Sequence, residues 1–226
     1  MSRSLAQQSL EQLGGTSSVL ARQRRDHAEL DRLMRRYESD GLTPPERRAT
    51  LHDIVQLTFS HAFAEETVLW PALRRLAPDG EALTSQVEEE HQRINDLVAE
   101  IRSTDPAAPR HDRLVTAAFS LIRQDIRDEE DVLLPRLQEA LGNDAARLRR
   151  LGTTWESVRR TAPTRPHPAV PRRPPANALA GIPLSAFDRA RDLLLPAPGR
   201  GRALAAGLAA SALAAWAVAA VRRRRH

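Results

Sequence analysis

Two stretches of the chain decide its fold: HAFAEETVLWPAL at residues 61–73 and DIRDEEDVLLPRL at residues 125–137. They lie 64 residues apart. Glu65, Glu66, Val68, Leu69, Pro71 and Leu73 of the first match Glu129, Glu130, Val132, Leu133, Pro135 and Leu137 of the second. The same offset carries His27, Leu30 and Leu33 onto His91, Ile94 and Leu97. One helical hairpin used twice accounts for both matches. Two such hairpins would pack around a pseudo-twofold axis, with equivalent core residues facing one another.

Outward from these stretches, four long helical patterns cover residues 19–37, 44–76, 81–102 and 110–141. Pro44 and Pro45 suit a first helical turn, where the missing N–H costs nothing. Pro78-Asp79-Gly80 and Thr104-Asp105-Pro106 break the pattern, and Gly142 stands where a helix end favours a left-handed residue. Short connections between long helices predict an all-α, up-down-up-down four-helix bundle over residues 19–142. Residues 1–18 read as a frayed lead-in. A shorter accessory helix within 143–160, from about 144 to 151 or beyond, is expected to pack on the end of the bundle. Pro71 and Pro135 are expected to kink or end their helices one to two turns past the residues considered next.

The faces of these helices carry an anomaly. The second helix has an apolar stripe through Leu51, Ile54, Val55, Thr58, Ala62, Val68, Leu69 and Ala72, and His61 and Glu65 fall inside it. The fourth has Leu114, Ala118, Leu121, Ile122, Val132 and Leu133, and Asp125 and Glu129 fall inside that stripe. His27 and His91 sit on the apolar faces of the first and third helices. Residues four apart differ by only about 40° in direction, so each pair shares a face. Six ionisable groups therefore aim at the middle of a bundle. Burying them unpaired would cost several kcal/mol each, a cost that a bound cation removes.

The composition narrows the choice of cation. The chain has 226 residues and no cysteine, which excludes thiolate catalysis, iron–sulfur clusters and zinc fingers. Imidazole and carboxylate ligands suit iron, manganese or zinc. Aromatic residues are 4% of the chain, and Leu, Ala and Val dominate the apolar positions, which favours helix over sheet. No nucleophile–base pair, phosphate-binding glycine loop or dinucleotide fingerprint is present.

His27, the pair His61-x-x-x-Glu65, His91 and the pair Asp125-x-x-x-Glu129, each pair running into EE-x-x-Leu-x-Pro-x-Leu, resemble the hemerythrin-like, HHE cation-binding domain. The resemblance covers residues 19–142. It implies a four-helix bundle holding a non-haem di-iron centre that binds or responds to O₂. It also implies that His27, His61, His91 and Asp125 are terminal ligands and that Glu65 and Glu129 bridge two Fe ions, Mn or Zn being the lesser alternatives. Two departures from the family stand out. Asp125 occupies a position usually held by His, and its added charge favours the ferric state. The positions four residues from His91 are Val87 and Asn95, where the oxygen carriers have a second His. The second iron would then have coordination open to O₂, NO or peroxide, which implies a sensor, or an enzyme turning over peroxide, rather than a stable O₂ carrier.

Plainer readings compete at each position. The buried groups could form a polar network without metal, and Asp125 a surface acid. Glu66 and Glu130, about 100° round their helices from the ligand positions, read as supporting or surface residues. His52 reads as solvent-facing, His111 as a capping or exposed residue, and Trp70 and Phe59 as core packing. Three functions remain open: a di-iron module binding O₂, NO or peroxide; a di-iron enzyme decomposing H₂O₂ or oxidising Fe²⁺; and a metal-free adaptor.

Charge divides along the chain. Residues 1–160 hold 27 acids and 23 arginines, whereas residues 161–226 hold 11 arginines and 2 acids. Residues 161–202 open with TAPTRPHPAVPRRPPA, six of sixteen residues being Pro, and read as an extended linker. Residues 203–221 carry no charge and precede a basic terminus at 222–226. They read as a membrane helix, and Ala203, Gly207, Ser211, Ala215 and Ala219 form a small-residue stripe on which copies of the chain could pair. A membrane meeting residues 203–225 is the favoured partner of the tail, nucleic acid the disfavoured one. The N-terminus has no apolar core of signal-peptide length, so the expectation is a cytoplasmic bundle anchored through its tail.

Overall fold

The structure is a computed structural model describing residues 3–162. Helices α1 (Val19–Glu38), α2 (Pro44–Ala64), α4 (Gly80–Ser103) and α5 (Pro109–Asp128) form the bundle; α3 (Trp70–Leu76) and α6 (Leu134–Ala140) extend α2 and α5, and α7 (Ala145–Arg159) follows. The described residues contain no strand.

Local chemistry sets the helix starts. Ser18 caps α1 by accepting from the Ala21 N–H. Thr43 and Glu46 form a reciprocal capping box at α2, with Pro in the first turn. Asp144 caps α7 through the N–H groups of Ala146 and Arg147. Gly142, at φ 71°, ends α6 in the left-handed region, and the Asn143 N–H reaches back to the Gln138 carbonyl.

The two long helices expected over 44–76 and 110–141 are each interrupted. A single π-helical turn, Glu65–Leu69, separates α2 from α3, and another, Glu129–Leu133, separates α5 from α6. The helix neither ends nor breaks at Pro71 or Pro135; the irregularity lies just before each proline and starts at the glutamate of each motif. Proline has no N–H to donate and its ring crowds the carbonyl four residues back. A wider turn, with the N–H groups of Trp70 and Leu134 bonding to the carbonyls of Glu65 and Glu129, accommodates it. The wider turn also shifts the register. Val132, expected in the buried stripe, is 46% exposed.

Each bundle helix passes through three layers. At one level Leu30, Met34, Ile54, Phe59, Ile94 and Phe119 belong to one apolar cluster. At the other Leu20, Leu69, Trp70, Val87, Leu134 and Leu137 belong to a second. Between them, in sequence on every helix, come the ionisable residues.

Two expectations about the flanks change. Residues 1–18 are not a frayed lead-in along their described length. Leu5 and Leu13 are fully buried in the second cluster, and Gln138 Nε2 donates to the Gln12 carbonyl at 2.8 Å. Helix α7 does not sit on the bundle end. It lies along α1, α2 and the first π turn, level with the ionisable layer. Gly152 permits that approach, since a Cβ there would stand 2.7 Å from the Ser17 carbonyl oxygen. The linker beyond residue 162, the proposed membrane helix 203–221 with its small-residue stripe, and the basic terminus lie outside the described residues. Among the described residues no helix is long and apolar enough to cross a membrane.

Candidate metal centre

The six residues singled out from the sequence meet in the middle layer. All are buried. Two groups could hold a metal ion: His27, His61, Glu65 and Glu129 in one, His91, Asp125 and Glu129 in the other, the donor atoms of each group lying within 4.8 Å of one another. The histidines turn their Nε2 atoms inward. His27 Nε2 is 3.1 Å from Glu129 Oε2, and His61 Nε2 is 3.1 Å from Glu65 Oε1. His91 Nε2 is 3.5 Å from Asp125 Oδ2 and 3.6 Å from Glu129 Oε1.

The two glutamates divide their oxygens between the groups. Glu65 presents Oε1 to His61 and Oε2 to His91, the latter at 3.8 Å. Glu129 presents Oε2 to His27 and Oε1 to His91. Both oxygens of Glu65, with Glu129 Oε1 and Asp125 Oδ1, are buried without a hydrogen-bond partner. Orphaned carboxylate oxygens in a buried layer, facing inward-turned imidazoles, fit bound cations.

Behind each imidazole stands a carboxylate. His27 Nδ1 is 2.8 Å from Glu130 Oε1, His91 Nδ1 is 2.9 Å from Glu66 Oε1, and His61 Nδ1 is 3.6 Å from Asp26 Oδ2. The first two are hydrogen bonds that fix the tautomer and leave Nε2 free to coordinate; the third is too long for one and adds only a nearby charge. Of the two readings open for Glu66 and Glu130, the supporting role holds. Asp26 escaped the sequence reading, though the 64-residue offset pairs it with Glu90, also buried and also preceding a histidine. Arg159 and Trp155 of α7 complete this flank: Arg159 Nη1 lies 3.6 Å from Asp26, and Trp155 meets His61 edge-on at 5.5 Å. No local pattern marks these contacts, which join residues far apart in the chain. His111, read as capping or exposed, is buried at the far end of the bundle and takes no part in the layer.

The charges of the layer shift one another's proton affinity. Burial pulls His27 down, but hydrogen bonds to Glu129 and Glu130 outweigh it and push the imidazole up to about 9. His61 and His91 are also raised well above the ordinary range; burial opposes, and the charges of Glu65 and Asp125 respectively prevail. Burial and then the Glu129 charge push Glu65 up to about 7 and Asp125 up to about 6. Glu129 lies well below the carboxylate range, because the neighbouring His27 and His91 imidazoles outweigh its burial. Metal binding at these groups would compete with their protons.

On the side of the first apolar cluster the layer leaves a cavity of about 10 Å³, walled by Leu30, Thr58, Ala62, Ile122 and Ile126.

The pattern of an inward His/carboxylate layer repeated across two hairpins has a counterpart among known proteins. The model of the hemerythrin HHE cation binding domain matches residues 14–137. The chain belongs to that family. Hemerythrin HHE domains bind metal ions, typically iron. An uncharacterized hemerythrin-like protein of Schizosaccharomyces pombe is 22% identical over 135 residues, covering 59% of this chain and 66% of the relative. No solved structure matches the chain.

Proposed function

We propose that this hemerythrin-family protein holds two iron ions in its middle layer and binds O₂, NO or peroxide there as a sensor or scavenger. In this reading His27 and His61 serve one iron, His91 and Asp125 the other, and Glu65 and Glu129 bridge them. The observation that carries it is the division of both glutamates' oxygens between the two histidine groups. Iron held there would supply a redox-active centre able to take up a small ligand. The chain's own part is to hold the Nε2 lone pairs of His91 and His27 inward through Glu66 and Glu130, and to exclude bulk water with Leu30, Ile122 and Ile126.

Metal analysis and an optical spectrum of the full chain, purified under air, test this. About two irons per chain, with near-ultraviolet bands that change on adding azide, are expected. A colourless chain that stays folded and metal-free after iron loading would overturn it.

A second reading is favoured by the longer reach of Glu65 toward the second group, Oε2 standing 3.8 Å from His91 Nε2 against 3.1 Å for Oε1 from His61 Nε2. An open position beside His91 and Asp125 suits turnover of peroxide or oxidation of Fe²⁺. Steady O₂ evolution from H₂O₂, abolished by Glu65→Ala, would select this reading; a single stoichiometric reaction would reject it.

The proposal includes a tether. The uncharged segment 203–221 and its flanking arginines support attachment of the bundle to an anionic membrane, with copies pairing along the small-residue stripe. Co-sedimentation of the full chain, but not of residues 1–202, with anionic vesicles is the expected result.

A further inference from the structure

Thr58 stands one helical turn before His61 in the wall of the cavity. Its sequence position placed it in the apolar stripe of α2, and it is buried. A threonine inside a helix ordinarily turns its hydroxyl onto the carbonyl four residues back. The neighbouring buried and half-buried threonines do so: Thr50 donates to Glu46 at 2.9 Å, Thr67 to Phe63 at 2.7 Å and Thr84 to Gly80 at 2.8 Å. Thr58 Oγ1 makes no hydrogen bond at all. A buried hydroxyl without a partner is costly, and it needs a partner that the described residues do not supply.

The cavity offers one. Its volume of about 10 Å³ is on the order of that needed for a single water-sized molecule. Its remaining walls are the inward face of the ionisable layer and apolar side chains that can neither donate nor accept. The internal repeat sharpens the point. Sixty-four residues on, the position equivalent to Thr58 is Ile122, which lines the same cavity. The two halves of the bundle thus place one threonine and one isoleucine against the same space.

We propose that Thr58 is a specificity-determining residue. Its Oγ1–H donates a hydrogen bond to the one atom of a small exogenous ligand that the cavity has room for, and so favours ligands with a free lone pair on the α2 side. This rests on the di-iron reading above. Donation from one side also orients the ligand, because Ile122 opposite gives it nothing to bond.

The test uses azide as the probe on the iron-loaded full chain, comparing wild type with Thr58→Val and Thr58→Ser. Azide affinity and the position of the azide-to-iron absorption band are read by titration, after iron content has been measured for each variant. Thr58→Val keeps the branched shape and removes the hydroxyl. It should bind azide about three- to tenfold more weakly, the worth of one such bond, with a shifted band. Thr58→Ser should stay within about twofold of wild type. Thermal unfolding of metal-free Thr58→Val should occur no lower than wild type, since no protein bond is lost. Equal azide affinity and band position in all three iron-loaded proteins would overturn the role of Thr58 while leaving the di-iron centre intact. Failure of the wild type to take up iron would overturn the reading beneath it, and the inference with it.

Discussion

His91 on α4 hydrogen-bonds through Nδ1 to Glu66 at 2.9 Å, and the internal repeat makes the same bond again, between His27 and Glu130 at 2.8 Å. Each bond crosses from one hairpin to the other, so the pair locks the two hairpins together at the level of the ionisable layer. Each also holds a histidine's Nε2 inward. Loss of such a partner typically loosens a metal by about 10- to 100-fold. Glu66→Ala and Glu130→Ala should therefore release iron to a competing chelator at correspondingly lower chelator concentration. Glu66→Gln and Glu130→Gln, which keep an acceptor but not the charge, should fall between. Unchanged iron retention in the alanine variants would show that the histidines are oriented by something else.

Much of this arrangement could be read from the sequence, for a physical reason. The 64-residue repeat and the placement of His61, Glu65, Asp125 and Glu129 inside apolar stripes are local patterns, and helical periodicity turns local patterns directly into faces. Three kinds of feature escaped. The π turns change the angle between successive residues, so Val132 left the core and Glu66 came to face His91, where a uniform 100° step had left its role open. The burial of Leu5 and Leu13 depends on an apolar cluster gathered from along the chain, from Leu20 through Trp70 to Leu134 and Leu148. The contacts of Trp155 and Arg159 with His61 and Asp26 likewise follow only from where α7 lands.

That landing rests on Gly152. A methyl group at this position would meet the Ser17 carbonyl oxygen at 2.7 Å and the Val19 nitrogen at 2.9 Å, both backbone atoms unable to move aside alone. Gly152→Ala should push α7 off α1 and destabilise the protein by about 1–3 kcal/mol, the usual cost of overpacking. At roughly 2–4 °C per kcal/mol for a domain of this size, unfolding should shift down by about 2–12 °C. Trp155, fully buried beside His61, should become wetter, so tryptophan emission should move to the red. An unshifted melting curve and emission would mean that α7 packs elsewhere.

The two donor groups are unequal, and single substitutions should expose this. Asp125 belongs only to the smaller group, whereas Glu129 belongs to both. Asp125→Ala leaves the four-donor group complete and should lower iron content from about two per chain to about one. Glu129→Ala removes a donor from both groups and should lower it below one. Metal analysis of the two purified variants checks the order. Full occupancy in Asp125→Ala would make Asp125 a bystander, the role its departure from the family pattern left open.

Without metal the layer should make stability fall as pH rises. His27 is pushed up to about 9 from an ordinary value near 6.5, so below about 6.5 its proton favours the folded state, and that contribution is lost as pH climbs through 9. Glu65, pushed up to about 7 by burial and the Glu129 charge, acts in the same direction: above about 4.5 the unfolded chain sheds a proton that the folded chain retains. Asp26 and Glu129, held below the carboxylate range, oppose this only in acid. The metal-free chain should thus melt at progressively lower temperature from pH 6 to pH 9. In the di-iron reading iron would take the place of those protons, so its affinity should rise over the same interval and the iron-loaded chain should not show the decline. Calorimetry of both forms at pH 6, 7, 8 and 9 reads the difference. Parallel curves would mean that the layer binds no cation in place of its protons.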